Sequence, residues 1–434
     1  MLFIVLDSRQ SGPAEQTQAS VRAVFPDSRC VLLESHAAGG MNETLADDDD
    51  DEPWFAVLYA GERLLPAFRR EIETWVRSLE ESDAGLLLLP AAADGRRLPD
   101  AGVPRGPVLW RTKAWNSGLS SGFAGPELLP FERYTLVEKQ YQLSETWHWP
   151  ERQSLGWLPA VRNVPVSKRA ADEWREVAPI LKGRYSAAIP GKSPFVSVVL
   201  CTFNDAEYLV WAIRSVCVQS YPHWELLIMD DGSTDGAEET LSGCPFSADP
   251  RIRFVRCERN MGKSHALNRA LSMARGRWLI ELDADDWLTP DCLHLLAGRA
   301  AQGSEAAFLY GRHMLWHERQ DKSLIMGRIG ERPKEMTVDS LLKDGFPLAP
   351  RMYNVQRLKQ LGGWLTTDPF EGRLFEDLQL LSRLLPFGPP KEVPEVMYHR
   401  RLRMSSITHR APGRYAKWLQ WMRETLPDVG PSQD

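Results

Sequence analysis

The sequence predicts an α/β protein made of two tandem domains, each a mostly parallel sheet with crossover helices. Three observations carry this. From Pro194 onward, apolar runs of strand length alternate with helically spaced stretches. Each of those runs ends in polar or acidic residues, at the place where open α/β sheets bind their ligands. Finally, Trp54–Pro66 matches Trp278–Pro290 at one constant offset, the self-similarity expected of a repeated unit.

Taken in order, Pro194–Asn204 is the first strand of the second domain and runs into polar turn residues. Tyr208–Ser220 spaces Leu209, Ile213 and Val216 as a helix does. Trp224–Met229 is a second strand, ending in Asp230-Asp231-Gly232-Ser233-Thr234-Asp235. Arg251–Val255 is a third, short strand, and Asn260-Met261-Gly262-Lys263 opens a helix. Trp278-Leu279-Ile280 then leads to Asp283, Asp285 and Asp286, with Thr289-Pro290-Asp291 as a helix-start signal. Three carboxylates that close repel one another unless a cation or donors hold them. A hard divalent ion would do so; an Asp-rich helix cap is the plainer alternative. Leu374, Phe375, Leu378, Leu381 and Leu384 form one helical stripe, which puts Glu376 and Asp377 near a helix start. Acids there also favour the helix dipole without any chemistry. Pro386–Pro394 reads as the loop before the last strand.

This order of motifs (Thr202-Phe203-Asn204, Asp230 to Asp235, Asn260-Met261-Gly262-Lys263, Asp283 to Asp286, Glu376-Asp377) resembles the family 2 glycosyltransferases over about residues 194–408. The resemblance implies a nucleotide-diphospho-sugar-transferase-like, Rossmann-like fold and an inverting, metal-dependent sugar transfer from a nucleotide-sugar donor, most commonly a UDP-sugar. It implies that Cys201, Thr202, Phe203 and Asn204 line the base pocket and that Asp231 hydrogen-bonds the base. Gly262 and Lys263 would meet the diphosphate, Asp283 the ribose or the metal, and Asp285 the Mn²⁺ or Mg²⁺ directly. Asp377 would be the general base, with Glu376 as the next candidate. Physics supports the roles: a base must reach the acceptor hydroxyl, and cations must stabilise the departing diphosphate.

One departure from the family pattern matters. After the last strand the family often carries a His that joins the metal; here Arg403 occupies that position when Ser406 and Thr408 match the following serines. An Arg cannot ligate a metal but can bind the diphosphate as a planar fork. In a shifted register His399 would reach the metal instead.

Composition sets the outer limits. The chain has 434 residues, 43% of them hydrophobic, enough for two or three domains. A formal net charge of −6 gives no footprint for nucleic acid. Asp7 follows Met1–Leu6 too early for a signal peptide, and no apolar run approaches a membrane span. The six cysteines are scattered, with no Cys-x-x-Cys pair, and read as reduced thiols. A cytoplasmic location follows, at most peripheral to the inner face of the membrane.

The first domain, 1–165, is then a degenerate copy. Tyr59, Gly61, Ser35 and Lys139 stand where Asp283, Asp285, Asp231 and Asp377 stand, and the stretch before its acidic-strand equivalent is much shorter. Its acidic run Asp47–Glu52 suits a solvated loop better than a diphosphate. Support of the catalytic domain, shaping of the acceptor groove and self-association as a homo-oligomer are its expected roles. Residues 166–193 read as a linker with a short helix, 194–408 as the catalytic domain, and 409–434 as a helix and tail. Tyr415, Trp418, Leu419, Met422 and Leu426 share a helical face; docking on the protein's own core is favoured over membrane contact because the basic face is thin. Among the sixteen tryptophans, Trp287 and the Gly362-Gly363-Trp364 region are the candidates for the acceptor cleft. The acceptor is a glycan, lipid or protein hydroxyl that the sequence does not specify. A non-catalytic scaffold is the alternative from another class, disfavoured by the intact acid set. A nucleotidyltransferase would need a Gly-rich basic loop after the first strand, which Cys201–Asn204 is not.

Overall fold

The computed structural model describes residues 1–7, 13–33, 38–46, 53–88, 106–117, 134–143, 147–148, 153–159, 168–182, 194–242, 246–302, 306–320, 322–331, 335–345, 347–403 and 412–425. The expectations for Ser35, Asp47–Glu52, Ser406, Thr408 and the segment 183–193 lie outside these residues. The chain divides into two compact units, Met1–Leu181 and Lys182–Asp434.

The first unit contains β1 (Leu2–Leu6), α1 (Ala14–Val24), β2 (Cys30–Leu33), α2 (Ala38–Ala46), β3 (Trp54–Tyr59), β4 (Arg63–Leu64), α3 (Pro66–Ser78), β5 (Gly85–Leu86), β6 (Leu109–Arg111), α4 (Thr112–Ser117), α5 (Thr135–Gln142), β7 (Trp147–His148), β8 (Trp157–Leu158) and α6 (Lys168–Lys182). Its sheet runs β2-β1-β3-β6-β5-β7. β1 pairs parallel with β2 and β3, β6 pairs antiparallel with β3 and β5, and β5 pairs parallel with β7. The helix expected in the linker is α6. It belongs to the first unit, where Trp174 meets Tyr134 at 5.1 Å and Val177, Ile180 and Leu181 are buried. That apolar stripe could not have stood in solvent as a linker.

The second unit contains β9 (Val196–Thr202), α7 (Ala206–Cys217), β10 (Trp224–Asp230), α8 (Ala237–Ser242), β11 (Ile252–Arg256), α9 (Lys263–Met273), β12 (Trp278–Asp283), β13 (Trp287–Leu288), α10 (Cys292–Ala301), β14 (Phe308–Glu318), β15 (Leu324–Ile329), α11 (Val338–Asp344), β16 (Arg351–Asn354), α12 (Val355–Gln360), α13 (Glu376–Leu384), β17 (Lys391–Leu402) and α14 (Pro412–Thr425). The order is β11-β10-β9-β12-β16-β14-β17-β13, with β15 on β14. β9, β10, β11 and β12 are mutually parallel; β16 is antiparallel to β12 and β14, and β14 is parallel to β17.

Strand alternation sorts side chains onto two faces. Ile280, Leu282 and Met352 enter one core; Leu279 and Tyr353 enter the other, which α9, α13 and α14 cover. Trp418 and Met422 are fully buried in that second core, so α14 docks on the protein. Trp287 and Trp364 are also core residues, stacked against His399 and edge-on to Tyr353 respectively. Their bulk made them look available, yet neither faces a cleft. Among the described residues, no helix is long and apolar enough to cross a membrane.

The two sheets follow one path. Reading β1 as β9, β2 as β10, β3 as β12, β6 as β16, β5 as β14 and β7 as β17 reproduces every neighbour and every direction. β4 and β13 follow the matched Trp-led strands at the same place in the sequence, but β4 pairs with β8 in a separate two-stranded sheet whereas β13 pairs with β17. Among the described residues, the first unit has no counterpart of β11; α2, which precedes β3 and packs Met41 and Leu45 on the face of Phe55 and Val57, stands where α9 stands before β12.

Candidate active site

The tips of β9, β10 and β12 lie side by side, because their registers pair Cys201 with Met229 and with Asp283. After β9 the chain turns through Asn204 at φ 56°. Its backbone N–H donates to Ser233 Oγ at 2.9 Å, and its side-chain oxygen accepts from Thr234 N at 2.8 Å. The turn bearing Thr202 and Phe203 is thereby tied to the loop after β10. Phe203 is 43% exposed and Thr202 is buried; burial pushes the Cys201 thiol well up, so it is no nucleophile.

Asp231 is buried, and its two carboxylate oxygens accept from Met261 N at 2.9 Å and Gly262 N at 2.7 Å. Its observed work is therefore to anchor the 260–262 loop, a role the sequence did not disclose. Gly262 has φ 102°, and a Cβ there would lie 2.7 Å from Arg373 Cγ, so the tight loop requires glycine.

The anchored loop delivers Lys263 to the first turn of α9. Its Nζ lies 2.7 Å from Asp283 Oδ1 and 2.9 Å from Glu376 Oε1. Burial would lower the Lys263 pKa, but Asp283 and Glu376 outweigh it and hold the ammonium well above its usual range. Burial likewise raises Asp283, yet Lys263 and then Arg351 bring it down to about 2. Glu376 is raised, by burial first, with Lys263 opposing and Asp377 adding.

Asp285 meets Arg403 Nη2 at 2.7 Å, and the same guanidinium gives Nη1 to Asp205 at 2.7 Å. Burial raises Asp285; Arg403 opposes this, and Asp283 and Asp205 reinforce it. Arg403 also lies over the Tyr208 ring at 4.7 Å, beside Arg401 at 4.4 Å. Asp286 turns inward and accepts from Tyr398 Oη at 2.8 Å and Arg401 N at 2.7 Å, pinning β13 to β17. Burial, then Asp285 and Asp283, push it well up; it is a structural acid, not a third metal ligand.

His399 is placed elsewhere. It is fully buried, stacked on Trp287 at 5.1 Å, and its Nδ1 accepts from Trp316 Nε1 at 3.0 Å. Burial takes it down to about 3. The ring is thus engaged by Trp287 and Trp316; among the described residues no three His, Cys, Asp or Glu side chains form a metal-holding group.

At the start of α13, Glu376 faces Lys263 while Asp377 faces Arg351, whose Nη1 lies 2.8 Å from Asp377 Oδ2. Asp377 is the more open of the two, with its side chain 25% exposed against 12%. The preceding Phe375 has φ 60°, and its ring packs against Phe370, Tyr415 and Trp418. Sequence reasoning missed Asp205, Tyr208, Glu281, Arg351 and Arg401. Only Glu281 left a trace, as a charge inside an otherwise apolar central strand.

Residues 197–352 match the Glycosyl transferase family 2 model. The chain is 43% identical over 151 residues to "Putative teichuronic acid biosynthesis glycosyltransferase TuaG" of Bacillus subtilis, covering 35% of this chain and 58% of that protein. It is 31% identical over 225 residues to the chondroitin synthase of Escherichia coli, covering 51% of this chain and 31% of the other. A crystal structure of S. aureus TarS 1-349 in complex with UDP-GlcNAc aligns at a TM-score of 0.41 and 20% identity, covering 50% of this chain and 61% of that one. The chain thus spans from under a third to about six-tenths of these relatives. Through the strand-tip acids, the Lys263 loop and the sheet that carries them, residues 197–352 belong to glycosyl transferase family 2.

Proposed function

We propose that the chain transfers a sugar from a nucleotide-diphosphate donor, a UDP-sugar, to a hydroxyl acceptor with inversion at the anomeric carbon. The observation that carries this reading is Lys263. One ammonium holds both the strand-tip Asp283 and the helix-start Glu376, so the donor side and the base side form a single site. In this reading Asp377 takes the proton of the acceptor hydroxyl. The hydroxyl oxygen then bonds to the anomeric carbon from one face as the bond to the diphosphate oxygen breaks on the other. Lys263 and Arg403 stabilise the charge that develops on the diphosphate. Thr202, Phe203 and Asn204 border the nucleoside, on a turn held by Ser233 and Thr234.

Asp283 and Asp285 present the hard oxygen donors that Mg²⁺ or Mn²⁺ takes; burial, reinforced by Asp283 and Asp205, raises Asp285, and such an ion would offset both. The donor set fits, with Asp285 exchanging Arg403 for the ion and His399 taking no part. When bound, the ion supplies Lewis-acid neutralisation of the diphosphate. The polysaccharide-building relatives support a glycan acceptor.

The first unit, in this reading, is a nucleotide-free copy of the same fold. Tyr59 and Gly61 stand at the tip of β3, where Gly61 N donates to Thr17 Oγ1 at 2.8 Å and Tyr59 N to Glu62 Oε2 at 2.8 Å. Lys139, at the position of the proposed base, is buried over Trp115, and burial lowers it to about 8 against the opposing pull of Glu138. Among the described residues, Tyr59 and Gly61 leave no acid pair at the tip of β3 to hold a metal–diphosphate.

The experiment is UDP release from UDP-glucose, UDP-galactose, UDP-N-acetylglucosamine and UDP-glucuronate with Mn²⁺, for wild type and Asp377→Asn. The variant should bind UDP normally and lose turnover by about 10²–10⁴-fold. Wild-type turnover in the variant would remove Asp377 from the base role.

A further inference from the structure

We propose that Arg351 is the positioning residue of the reaction: held from beneath by Glu281, it fixes the carboxylate of Asp377 in the orientation needed to receive the acceptor's proton. The inference rests on the reading of Asp377 as base. β12 and β16 are antiparallel neighbours that pair Ile280 with Met352. One residue further, strand alternation turns Glu281 and Arg351 to the opposite face, together with Leu279, Tyr353 and Asp283. That face lies under α13. Arg351 Nη2 reaches Glu281 Oε2 at 3.3 Å and Nη1 reaches Asp377 Oδ2 at 2.8 Å.

The side chains of Glu281 and Arg351 are 3% and 9% exposed. A charge buried in the middle of a sheet is costly, and one buried pair would already neutralise itself. The guanidinium nevertheless extends its second arm to the acid that faces the site. A guanidinium stays protonated, and its rigid fork sets the direction of both contacts, which an ammonium on a flexible stem cannot do. The other oxygen of Asp377 accepts from Leu378 N at 2.8 Å. Both carboxylate oxygens are thus constrained, one by the sheet below and one by the helix that carries it, while a quarter of the side chain remains open. The close ion pairs are divided: Lys263 holds Asp283 and Glu376, and Arg351 holds Glu281 and Asp377, acting on Asp283 only through its field. Arg351 therefore makes no close ion pair with the residues assigned to the donor. Its loss should alter turnover and leave donor affinity alone, since misplacing a reacting group by about 1 Å typically costs ~10²-fold.

The test compares Arg351→Gln, Arg351→Lys and Asp377→Asn in the full chain. UDP affinity with Mn²⁺ is measured by calorimetry, and kcat and KM for UDP release on whichever UDP-sugar of the panel wild type turns over fastest. Arg351→Gln should lower kcat by about 10²-fold with UDP affinity unchanged. Arg351→Lys should recover part of that loss, because it restores the charge without the fork. A Gln variant with full kcat, or one that loses UDP affinity and kcat in equal proportion, would overturn the positioning role. Should Arg351→Gln not fold, the Lys variant decides: reduced kcat at normal UDP affinity supports the role, and wild-type kcat overturns it. Asp377→Asn separates the two claims. If it is inactive while Arg351→Gln is fully active, the base stands and the positioning role falls. If Asp377→Asn turns over normally, both fall.

Discussion

Replacing Trp418 by Ala measures how far the C-terminal helix sets the geometry of the proposed base. The indole is fully buried, with the Phe375 ring at 5.2 Å and the Tyr415 ring at 5.7 Å. A buried Trp withdraws roughly 150–250 Å² from water, worth ~4–6 kcal/mol at about 25 cal/mol per Å². Truncation of buried Trp to Ala commonly costs ~3–5 kcal/mol, so ~4 kcal/mol is the working figure. Phe375 adds a local reason for concern. It holds φ 60° immediately before Glu376, a conformation that costs a residue with a side chain about 1–2 kcal/mol. Its ring contacts with Tyr415 and Trp418 help to offset that cost. Hydrogen exchange read by mass spectrometry is the assay. Amides of α14 and of the first turn of α13 should exchange faster, by up to ~10³-fold if the full ~4 kcal/mol appears as local opening. Faster exchange in α14 with wild-type protection at Glu376–Gln379 would refute the link between the helix and the base.

Three further outcomes are expected. Asp285→Ala should abolish the gain in UDP affinity that Mn²⁺ gives the wild type, by calorimetry; equal wild-type affinity with and without the ion would reject the metal reading. His399 and His313 are held neutral by burial, at about 3 and about 4, with Arg400 also pressing on His313. An unfolded chain takes up protons below about 6.5 that these native rings refuse, so they make stability fall as pH drops from there toward about 4. His399→Gln should flatten the urea-derived slope by ~1.4 kcal/mol per pH unit; an unchanged slope would mean the ring is not buried neutral. UDP with Mn²⁺ should protect amides of the second unit and none around Tyr59–Glu62, and protection there would contradict a nucleotide-free first unit.

Much of the site could be read from the chain because parallel strands bring their tips together whatever fills their interiors. Asp231, Lys263, Asp283 and Asp285 each follow directly on a strand or open a helix, so local pattern was enough to place them. Glu376 and Asp377 could be placed for the same reason, at the head of an apolar helical stripe. Arg351 could not, since its meaning depends on Glu281 and Asp377, far away in sequence and joined only by the β12–β16 pairing. The tryptophans misled for a related reason: an indole in a chain looks the same whether it will stack on a sugar or on His399. Arg403 was placed near the diphosphate by its position in the motif, but its bond to Asp205 depends on the turn after β9.

On the proposed reading of the first unit as a nucleotide-free copy, the shared strand path has a consequence for how such a domain would lose its activity. β11 pairs only with β10, at the border of the sheet. It is therefore a strand whose deletion breaks a single ladder and leaves the interior pairings intact. The segment between β10 and β12 that carries β11 also carries the loop of Lys263. A shortening at this place would remove Lys263, the proposed partner of the diphosphate, and an edge strand in one event, leaving the central parallel strands in register. Loss elsewhere, at β16 or β14, would have divided the sheet. The segment that delivers Lys263 to the centre of the site thus hangs on the rim strand, where its shortening would leave the interior strands paired.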